Sequence, residues 1–321
     1  MKKALILGVT GQDGSYAAEL LLSKKYLVYG MYRKSATNNK KNIDEILKKK
    51  NKNFKLVKGD LLDTISLNNL ISEIKPNEIY NFADQDHVGW SYSIPSYSLK
   101  TTALSVIEIL EIIRRQKYKI KYFQPISSNI FGLTNTAKQN EETKINPNSI
   151  YALGKASAYY ACVMYNRIYN MNNCGAIFYN HESPRRSEEY LSKKVIKQAV
   201  EIYKNKREKI LLGDLSAKID WGYAKDYVEA SWQIMQQKKA DFFIIGTGKS
   251  YYVRDFVKFT FETLNLDYKK YIKTDKKLLR PSKTSNLRAN TLKAKKVFNF
   301  KVKTSLKKLI KIMIDHEFKK Y

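Results

Sequence analysis

The chain has 321 residues, of which 43% are hydrophobic and 28% are charged, so it carries enough apolar side chains for a sizeable core. This composition excludes a disordered or collagen-like protein, and the two cysteines and three scattered histidines indicate neither a disulfide framework nor a metal site. No apolar run approaches the roughly 18 residues of a membrane helix, so we expect a cytoplasmic protein that binds neither membranes nor metal ions.

The net charge of +29 could serve nucleic-acid binding or the attraction of an anionic substrate. Lysines provide most of this charge and are spread along the whole chain, together with abundant Asn, Ile and Tyr, as an AT-rich genome would produce. We therefore attribute the charge mainly to codon usage, keep the steering of an anionic substrate as the alternative, and predict no nucleic-acid partner.

Short apolar runs alternate with segments of helical periodicity through the first half of the chain. The runs predict strands over residues 3–8, 27–32, 54–58, 78–81, 121–128 and 174–179. The periodic segments predict helices over residues 16–23, 104–114 and 149–165. Because apolar strands between helices are typical of a parallel sheet covered on both faces, we predict an α/β fold with a doubly wound, Rossmann-like parallel sheet.

The pattern loosens beyond residue 180, where helices are predicted over residues 193–203, 224–235, 253–264 and 305–316. The Lys- and Asn-rich segment 34–52 is predicted to be a loop. We divide the chain into a dinucleotide-binding domain, residues 1–179, and a smaller C-terminal substrate lobe, residues 180–321, from which some segments return to the Rossmann layer.

A glycine-rich loop, Gly8-Val9-Thr10-Gly11-Gln12-Asp13-Gly14, follows the first strand and opens the first helix. Glycines there allow a tight turn and bring backbone N–H groups close to a pyrophosphate, to which the helix N-terminus adds partial positive charge. A purely structural turn is the alternative. We predict that this loop binds a dinucleotide through Gly8, Gly11, Gln12, Asp13 and Gly14.

The residues that follow the second and third strands bear on the choice of cofactor. A carboxylate after the second strand would bind the ribose 2′-hydroxyl of NAD, whereas Arg suits the 2′-phosphate of NADP. The chain has Arg33 and Lys34 there, so we predict NADP rather than NAD, the alternative being two surface cations. Asp60, which precedes Leu61 after the third strand, is either a helix N-cap or an adenine contact.

Tyr151 and Lys155 lie four residues apart on a predicted helix and therefore share a face. An ammonium group beside a phenol lowers the pKa of the phenol and helps it to remove a proton from a substrate hydroxyl. Tyr190 and Lys194 have the same spacing, which we interpret as an ordinary helix face. Tyr151 differs because it lies downstream of Ser127, at the end of a strand, where active-site residues of such sheets collect.

The glycine loop, the Ser127, Tyr151 and Lys155 set, and the run Asn180-His181-Glu182-Ser183-Pro184-Arg185-Arg186 resemble the extended short-chain dehydrogenase/reductase family and, within it, the GDP-sugar dehydratases. The resemblance covers essentially the whole chain. It implies a homodimer or homotetramer that uses NADP and a GDP-sugar. It also implies roles for single residues: Tyr151 as the base with Ser127 beside it, Lys155 on the nicotinamide ribose, and the loop glycines, Arg33, Asp60 and Leu61 on the rest of the cofactor. The residues that we place on the GDP-sugar are His87, Asn180, Arg185, Lys194, Trp221 and Arg280, although a surface or subunit contact explains Arg185 equally well.

The chain departs from that family at the acid/base of the elimination step. By the resemblance, the sugar is oxidised at C4, water is eliminated across C5 and C6, and hydride returns to C6, with a Glu two places after the Ser127 position serving the elimination. This chain has Asn129 there, and an amide cannot take up a proton. The loss of a positioned acid/base lowers the rate by a factor of about 10²–10⁴. Asp84 and Asp86, which replace small residues of the family, are helix caps or new acids; Asp86 and Glu182 are our candidates for a relocated acid/base.

Three hypotheses follow from these residues. The first is a GDP-sugar 4,6-dehydratase with a relocated acid/base. The second is a GDP-sugar C4 oxidoreductase or epimerase without dehydration, for which Ser127, Tyr151 and Lys155 suffice. The third is a nucleotide-binding protein without turnover, against which the retention of these three residues argues. Asn129 favours the second hypothesis, and the whole-chain resemblance favours the first, which we take as the prediction.

Overall fold

The structure, a computed structural model, describes residues 1–36, 39–275, 278 and 286–321. The chain forms two compact units. The first comprises Met1–Gly132, Lys144–Phe178 and Val228–Phe243, and the second comprises Leu133–Thr143, Tyr179–Tyr227 and Ile244–Tyr321. None of the described helices combines the length and the apolar character that a membrane crossing requires.

The central sheet has seven strands in the order β10-β6-β5-β4-β1-β2-β3. These strands are β1 (Lys3–Leu7), β2 (Leu27–Tyr32), β3 (Phe54–Lys58), β4 (Glu78–Asn81), β5 (Lys121–Ser127), β6 (Asn172–Phe178) and β10 (Phe242–Ile245). All the strand pairs from β6 to β3 are parallel. The predicted doubly wound, Rossmann-like parallel sheet is therefore confirmed.

The helices of the first unit connect these strands in the manner of a parallel sheet. They are α1 (Gln12–Ser23), α2 (Asp44–Lys48), α3 (Thr64–Ile74), α4 (Val88–Ser93), α5 (Pro95–Leu99), α6 (Ser105–Arg115), α7 (Ile150–Tyr169) and α9 (Ala224–Met235), the last of which runs into this unit from the second. A π-helical turn, Lys100–Leu104, joins α5 to α6. The four β1 residues from Ala4 to Leu7 are completely buried, which explains why this strand reads as a continuous apolar run.

The strand order places two loops at the functional edge of the sheet. It reverses direction between β1 and β4, and ligands of open α/β sheets bind at the carboxyl ends of the strands beside such a switch point. Gly8 directly follows β1, and Phe82 directly follows β4. The glycine loop and the loop after β4, residues 82–87, therefore start at the same point of the sheet.

The second unit contains small sheets and its own hydrophobic core. Strand β9 (Lys218–Tyr223) pairs with β7 (Asn180–Glu182) and β11 (Ser250–Tyr252), and β8 (Ile210–Leu212) pairs with β12 (Ile272–Thr274). Its helices include α8 (Leu191–Tyr203), α10 (Val253–Thr263), α11 (Leu292–Phe298) and α12 (Leu306–Phe318). Buried side chains of α8, α10 and α12 pack around Trp221, Phe256 and Phe261.

Most of the predicted elements lie within a few residues of the observed ones, but three differences are informative. The segment 34–52 is not only a loop, because it contains a 3₁₀ turn, Lys41–Ile43, and helix α2, which bury Ile43 and Ile46. Helix α3 and strand β10 were not predicted at all. The assignment of residues 1–179 to the dinucleotide and of 180–321 to the substrate stays a prediction.

Candidate active site

The glycine loop has the geometry of a pyrophosphate cradle. Gly8 has a φ of +79°, and a Cβ atom there would lie 2.8 Å from the backbone of Ala83. A Cβ atom on Gly14 would overlap the carbonyl group of Gly8, so α1 can start this close to β1 only with glycine at that position. Gly11 is the N-cap of α1 and has no side chain that could cap the first N–H groups. Those groups and the helix dipole therefore suit an anion, as a dinucleotide requires.

Two further residues of this loop also lie in the first turn of α1. Gln12 is buried, and its amide donates a hydrogen bond of 3.3 Å to the carboxylate of Asp13. The sequence places both residues in the loop, and the structure adds that their side chains contact each other.

The residues predicted for the adenosine end lie after β2 and β3. Arg33 is exposed, and its guanidinium donates to the hydroxyl of Tyr97 at 2.8 Å. Asp60 accepts a hydrogen bond of 3.0 Å from the N–H of Leu62, next to the buried Leu61. The N-cap of α3 is Asp63, which accepts from Ser66 at 3.0 Å, so the interpretation of Asp60 as the helix cap is wrong.

Ser127, Tyr151 and Lys155 come together as the sequence predicts. Ser127 is the last residue of β5, and its hydroxyl lies close enough to the phenol of Tyr151 to lower the pKa of that group. Ser149 caps α7 by accepting from Ala152 at 3.1 Å, which fixes Tyr151 in the first turn. Lys155 lies one turn later, with its ammonium 5.8 Å from the centre of the Tyr151 ring and donating to the Pro125 carbonyl at 3.0 Å.

The groups around the phenol of Tyr151 shift its pKa in opposite directions. The pKa of Tyr151 is raised to about 12, because burial and the charges of Asp84 and Asp86 raise it more than the Lys155 ammonium and the Ser127 hydroxyl lower it. Lys155 and Ser127 are therefore the groups in contact with Tyr151 that favour the phenolate, the form in which Tyr151 can accept a proton.

An ion pair between Asp84 and Lys155 is the main feature that sequence reasoning missed. The Asp84 carboxylate lies 2.5 Å from the Lys155 ammonium, and it accepts hydrogen bonds from the hydroxyl of Thr102 at 2.6 Å and the N–H of Gln85 at 2.8 Å. It caps no helix, because α4 is capped by His87, whose Nδ1 accepts from the N–H of Trp90 at 3.1 Å. The interpretation of Asp84 as a helix cap is therefore wrong.

The candidates for the elimination acid/base differ in how their side chains are held. Asn129 lies in a 3₁₀ turn and donates its N–H to the Ser127 hydroxyl at 3.2 Å. Asp86 is exposed in the loop after β4 and acts electrostatically on Tyr151. Glu182, in the second unit, is buried, and its carboxylate accepts from Ser192 at 2.6 Å and lies 3.4 Å from the guanidinium of Arg186. Of the two candidates, Asp86 is therefore the one that solvent and substrate can reach.

The residues predicted to bind the sugar nucleotide are scattered over several elements. Asn180 starts β7, and Arg185 donates its backbone N–H to the Ser183 hydroxyl at 3.1 Å. Lys194, on α8, donates to the carbonyl of Leu211 at 3.0 Å. His87 is the cap of α4, and Trp221 lies in the core against Phe256. Arg280 lies outside the described residues. Burial of Trp221 in the core does not favour a substrate contact through its ring. Within the described ranges, no group of three or more His, Cys, Asp or Glu side chains is placed to hold a metal ion.

Comparisons with known proteins show the family of the chain. The sequence model of a family described as GDP-mannose 4,6 dehydratase matches residues 5–313. GDP-mannose 4,6 dehydratase 1 of Arabidopsis thaliana is 38% identical over 324 residues, which cover 98% of this chain and 90% of that protein. GDP-mannose 4,6-dehydratase of Yersinia enterocolitica is 41% identical over 263 residues, which cover 80% and 71%.

Two solved structures show the likeness of the fold. The dTDP-glucose 4,6-dehydratase of Bacillus anthracis, in complex with NAD, has a TM-score of 0.86 at 22% identity and covers 99% of this chain and 97% of its own. RMD of Pseudomonas aeruginosa, in complex with NADPH, has a TM-score of 0.82 at 15% identity, with complete coverage of both chains.

Proposed function

Because the chain belongs to the GDP-mannose 4,6-dehydratase family, we propose that it converts GDP-mannose into the 4-keto-6-deoxy sugar nucleotide with the loss of one water molecule. The observation that carries the proposal is the assembly of Ser127, Tyr151 and Lys155 at the carboxyl edge of the sheet, in a chain that matches the family from residue 5 to residue 313.

The cofactor of the proposed reaction is NADP, held by the glycine loop and by Arg33. The positive φ of Gly8 and the lack of room for a Cβ atom on Gly14 support the cradle. Arg33 supports NADP over NAD, because a guanidinium pairs with a 2′-phosphate in a charge-assisted manner. When bound, the nicotinamide would take a hydride from sugar C4 and later return it to C6.

Tyr151 is the base of the oxidation step and takes the proton of the C4 hydroxyl as that hydride leaves. Its burial disfavours the phenolate, so the reaction depends on the groups that offset this burial. Lys155 supplies the positive charge, and Ser127 supplies its hydroxyl group. Lys155 suits this role because its pairing with Asp84 raises the pKa of its ammonium in spite of burial.

The elimination step needs a base for the C5 proton and an acid for the departing C6 hydroxyl. We assign this role to Asp86, since Asn129 stands where the family has Glu. Asp86 is exposed in the loop after β4, where it acts on Tyr151, whereas Glu182 is buried and the side chain of Asp84 is only 11% exposed.

A second candidate function, a GDP-sugar C4 oxidoreductase or epimerase without dehydration, is favoured by Asn129 alone. Its amide cannot exchange the C5 proton, whereas Ser127, Tyr151 and Lys155 suffice for oxidation at C4. The two functions are distinguished by whether water leaves the sugar.

The quaternary structure that we propose is a homodimer formed through α6 and α7. Helix α7 exposes the apolar side chains of Leu153, Tyr160, Met164 and Ile168, and α6 exposes that of Ile107. Exposed apolar side chains that cluster are typical of an interaction surface. The cytoplasmic location stays a prediction.

Incubation of the protein with NADP and a panel of GDP-mannose, UDP-glucose and dTDP-glucose tests this proposal. We expect a product lighter by one water from GDP-mannose alone, as measured by mass spectrometry of the nucleotide sugar. Dehydration of one of the other two sugar nucleotides instead would contradict the assignment of GDP-mannose as the substrate. Oxidation of GDP-mannose without water loss would favour the second function.

A further inference from the structure

Asp84 forms a buried ion pair with Lys155, but it has no role of its own in the proposed reaction. The two side chains are only 11% and 5% exposed, so the pair is largely removed from water. The carboxylate of Asp84 is engaged on both oxygens: Oδ2 pairs with the ammonium, and Oδ1 accepts from the Thr102 hydroxyl and the Gln85 N–H. A carboxylate held in this way is fixed in place rather than poised to exchange a proton with a substrate.

The backbone around the pair is shaped to hold it. Thr102 lies in the π-helical turn Lys100–Leu104, and such turns are rare and occur often at functional sites. Gly154 lies on α7 between Tyr151 and Lys155, and a Cβ atom there would press on the side chain of Thr102 at 3.0 Å. The close approach of α7 to the π-helical turn therefore depends on glycine. This close approach brings Lys155 of α7 next to Asp84, which accepts a hydrogen bond from Thr102 of the turn.

We propose that Asp84 is a positioning residue, which fixes the Lys155 ammonium and opposes, with its own negative charge, the action of that ammonium on the Tyr151 phenol. The Lys155 ammonium lies 2.5 Å from the Asp84 carboxylate and donates to the Pro125 carbonyl at 3.0 Å, so these two contacts hold its position. The inference rests on the proposed function, in which Tyr151 is the base.

The charged and titratable groups that face this site come from three elements. The loop after β4 contributes Asp84 and Asp86, α7 contributes Tyr151 and Lys155, and β5 contributes the hydroxyl of Ser127 and the phenol of Tyr122, whose pKa is raised by burial and by Asp84. Burial lowers the pKa of Lys155, but Asp84, Tyr151 and Asp86 together raise it by more, so that the pKa of the ammonium is raised overall. Burial raises the pKa of Tyr151, and Asp84 raises it further.

Removing the charge of Asp84 therefore lowers the pKa of both groups. Tyr151 must be deprotonated to act as the base, so its pKa sets the acid side of a pH–rate profile. Lys155 must stay protonated, so its pKa sets the alkaline side. Both sides of the profile move to lower pH when Asp84 loses its charge, which a merely structural role would not produce.

The test compares wild type with Asp84→Asn and with a matched control, Glu317→Gln, which breaks the buried Lys193–Glu317 pair of the second unit. Two quantities are measured against pH: kcat/KM with GDP-mannose and NADP, and the affinity for NADPH by the fluorescence of the nucleotide. We expect Asp84→Asn to shift the rising, acid side of the rate profile down by about one pH unit, the low end of the shift that one nearby charge produces. The alkaline loss of NADPH affinity should shift down as well, and the control should shift neither profile.

Each other outcome overturns the inference. Unchanged profiles in Asp84→Asn would show that Asp84 does not act on the two groups. Loss of water elimination with hydride exchange at C4 intact would make Asp84 the acid/base instead. If wild type does not turn over GDP-mannose, the proposed function fails, and the NADPH profile alone decides on Asp84.

A second variant covers the case in which Asp84→Asn does not fold because Lys155 is left buried and unpaired. The double variant Asp84→Asn, Lys155→Met has no unpaired charge and should then regain stability to urea. A double variant that remains unfolded would overturn the pairing itself.

Discussion

Replacing Tyr151 by Phe removes one hydroxyl group from a fully assembled site. The ring stays in its buried position at the start of α7, so the packing of the helix is retained. The change removes only the hydroxyl on which Ser127 and Lys155 act, and none of the hydrogen bonds that cap α7 involves it. The folded protein should therefore persist, while the proposed base is gone.

The expected loss of activity follows from the role of a general base. Such a group contributes about 10²–10⁴ to the rate, so kcat of Tyr151→Phe should fall by that factor. The pH dependence provides a second signature: because the pKa of Tyr151 is raised to about 12, the phenolate fraction grows with pH through the neutral range, and wild-type kcat should rise with it. The residual activity of Tyr151→Phe should lack this rise.

The assay is NADP-dependent formation of the 4-keto sugar nucleotide, followed from pH 6 to pH 9 with circular dichroism as a check on folding. Tyr190→Phe is the matched control, because Tyr190, the N-cap of α8, and Lys194 repeat the same sequence spacing without the neighbouring Ser127. The control should retain wild-type activity and pH dependence. A Tyr151→Phe variant with wild-type kcat would refute the assignment of Tyr151 as the base.

Three further predictions concern the cofactor, the elimination and the subunit contact. Arg33→Ala should raise the Kd for NADPH about tenfold or more, as expected for one charge-assisted contact with a phosphate, and leave the Kd for NADH unchanged in fluorescence titrations; equal effects on both would contradict the 2′-phosphate role. Asp86→Asn should stop the loss of water while C4 hydride exchange continues, as measured by mass spectrometry; dehydration at the wild-type rate would exclude Asp86. Tyr160→Glu, in the exposed apolar face of α7, should convert a dimer into monomers in size-exclusion chromatography with light scattering, and an unchanged mass would place the contact elsewhere.

The sheet could be predicted from the sequence because its strands are buried on both faces. Strand β1 and its neighbours read as continuous apolar runs, and the helices between them show one apolar stripe each. Helix α3 carries a comparable signal, with Leu67, Ile71 and Ile74 at helical spacing behind the Asp63 cap, so it was within reach of the same reasoning. Strand β10 has four apolar residues and no distinguishing period, and its pairing with β6 is a tertiary contact.

The features of the candidate site also fall into two groups, those that the sequence could predict and those that it could not. The glycine loop and the Tyr151–Lys155 pair are local patterns, so spacing and position suffice to find them. The pairing of Asp84 with Lys155 is a long-range contact that depends on the π-helical turn and on Gly154, and no spacing rule connects these residues. The sequence leaves open whether Asp60 is a helix N-cap, because Asp60 and Asp63 offer the same chemistry three residues apart and only the backbone decides between them.

GDP-mannose that carries deuterium at C4 tests the central claim most directly, since the proposed reaction moves that atom from C4 to C6 of one sugar. The account predicts a product that is lighter by one water and retains the deuterium, located at C6 by nuclear magnetic resonance. Deuterium found on the reduced cofactor, with a sugar nucleotide that has lost no water, would contradict the account and establish an oxidoreductase.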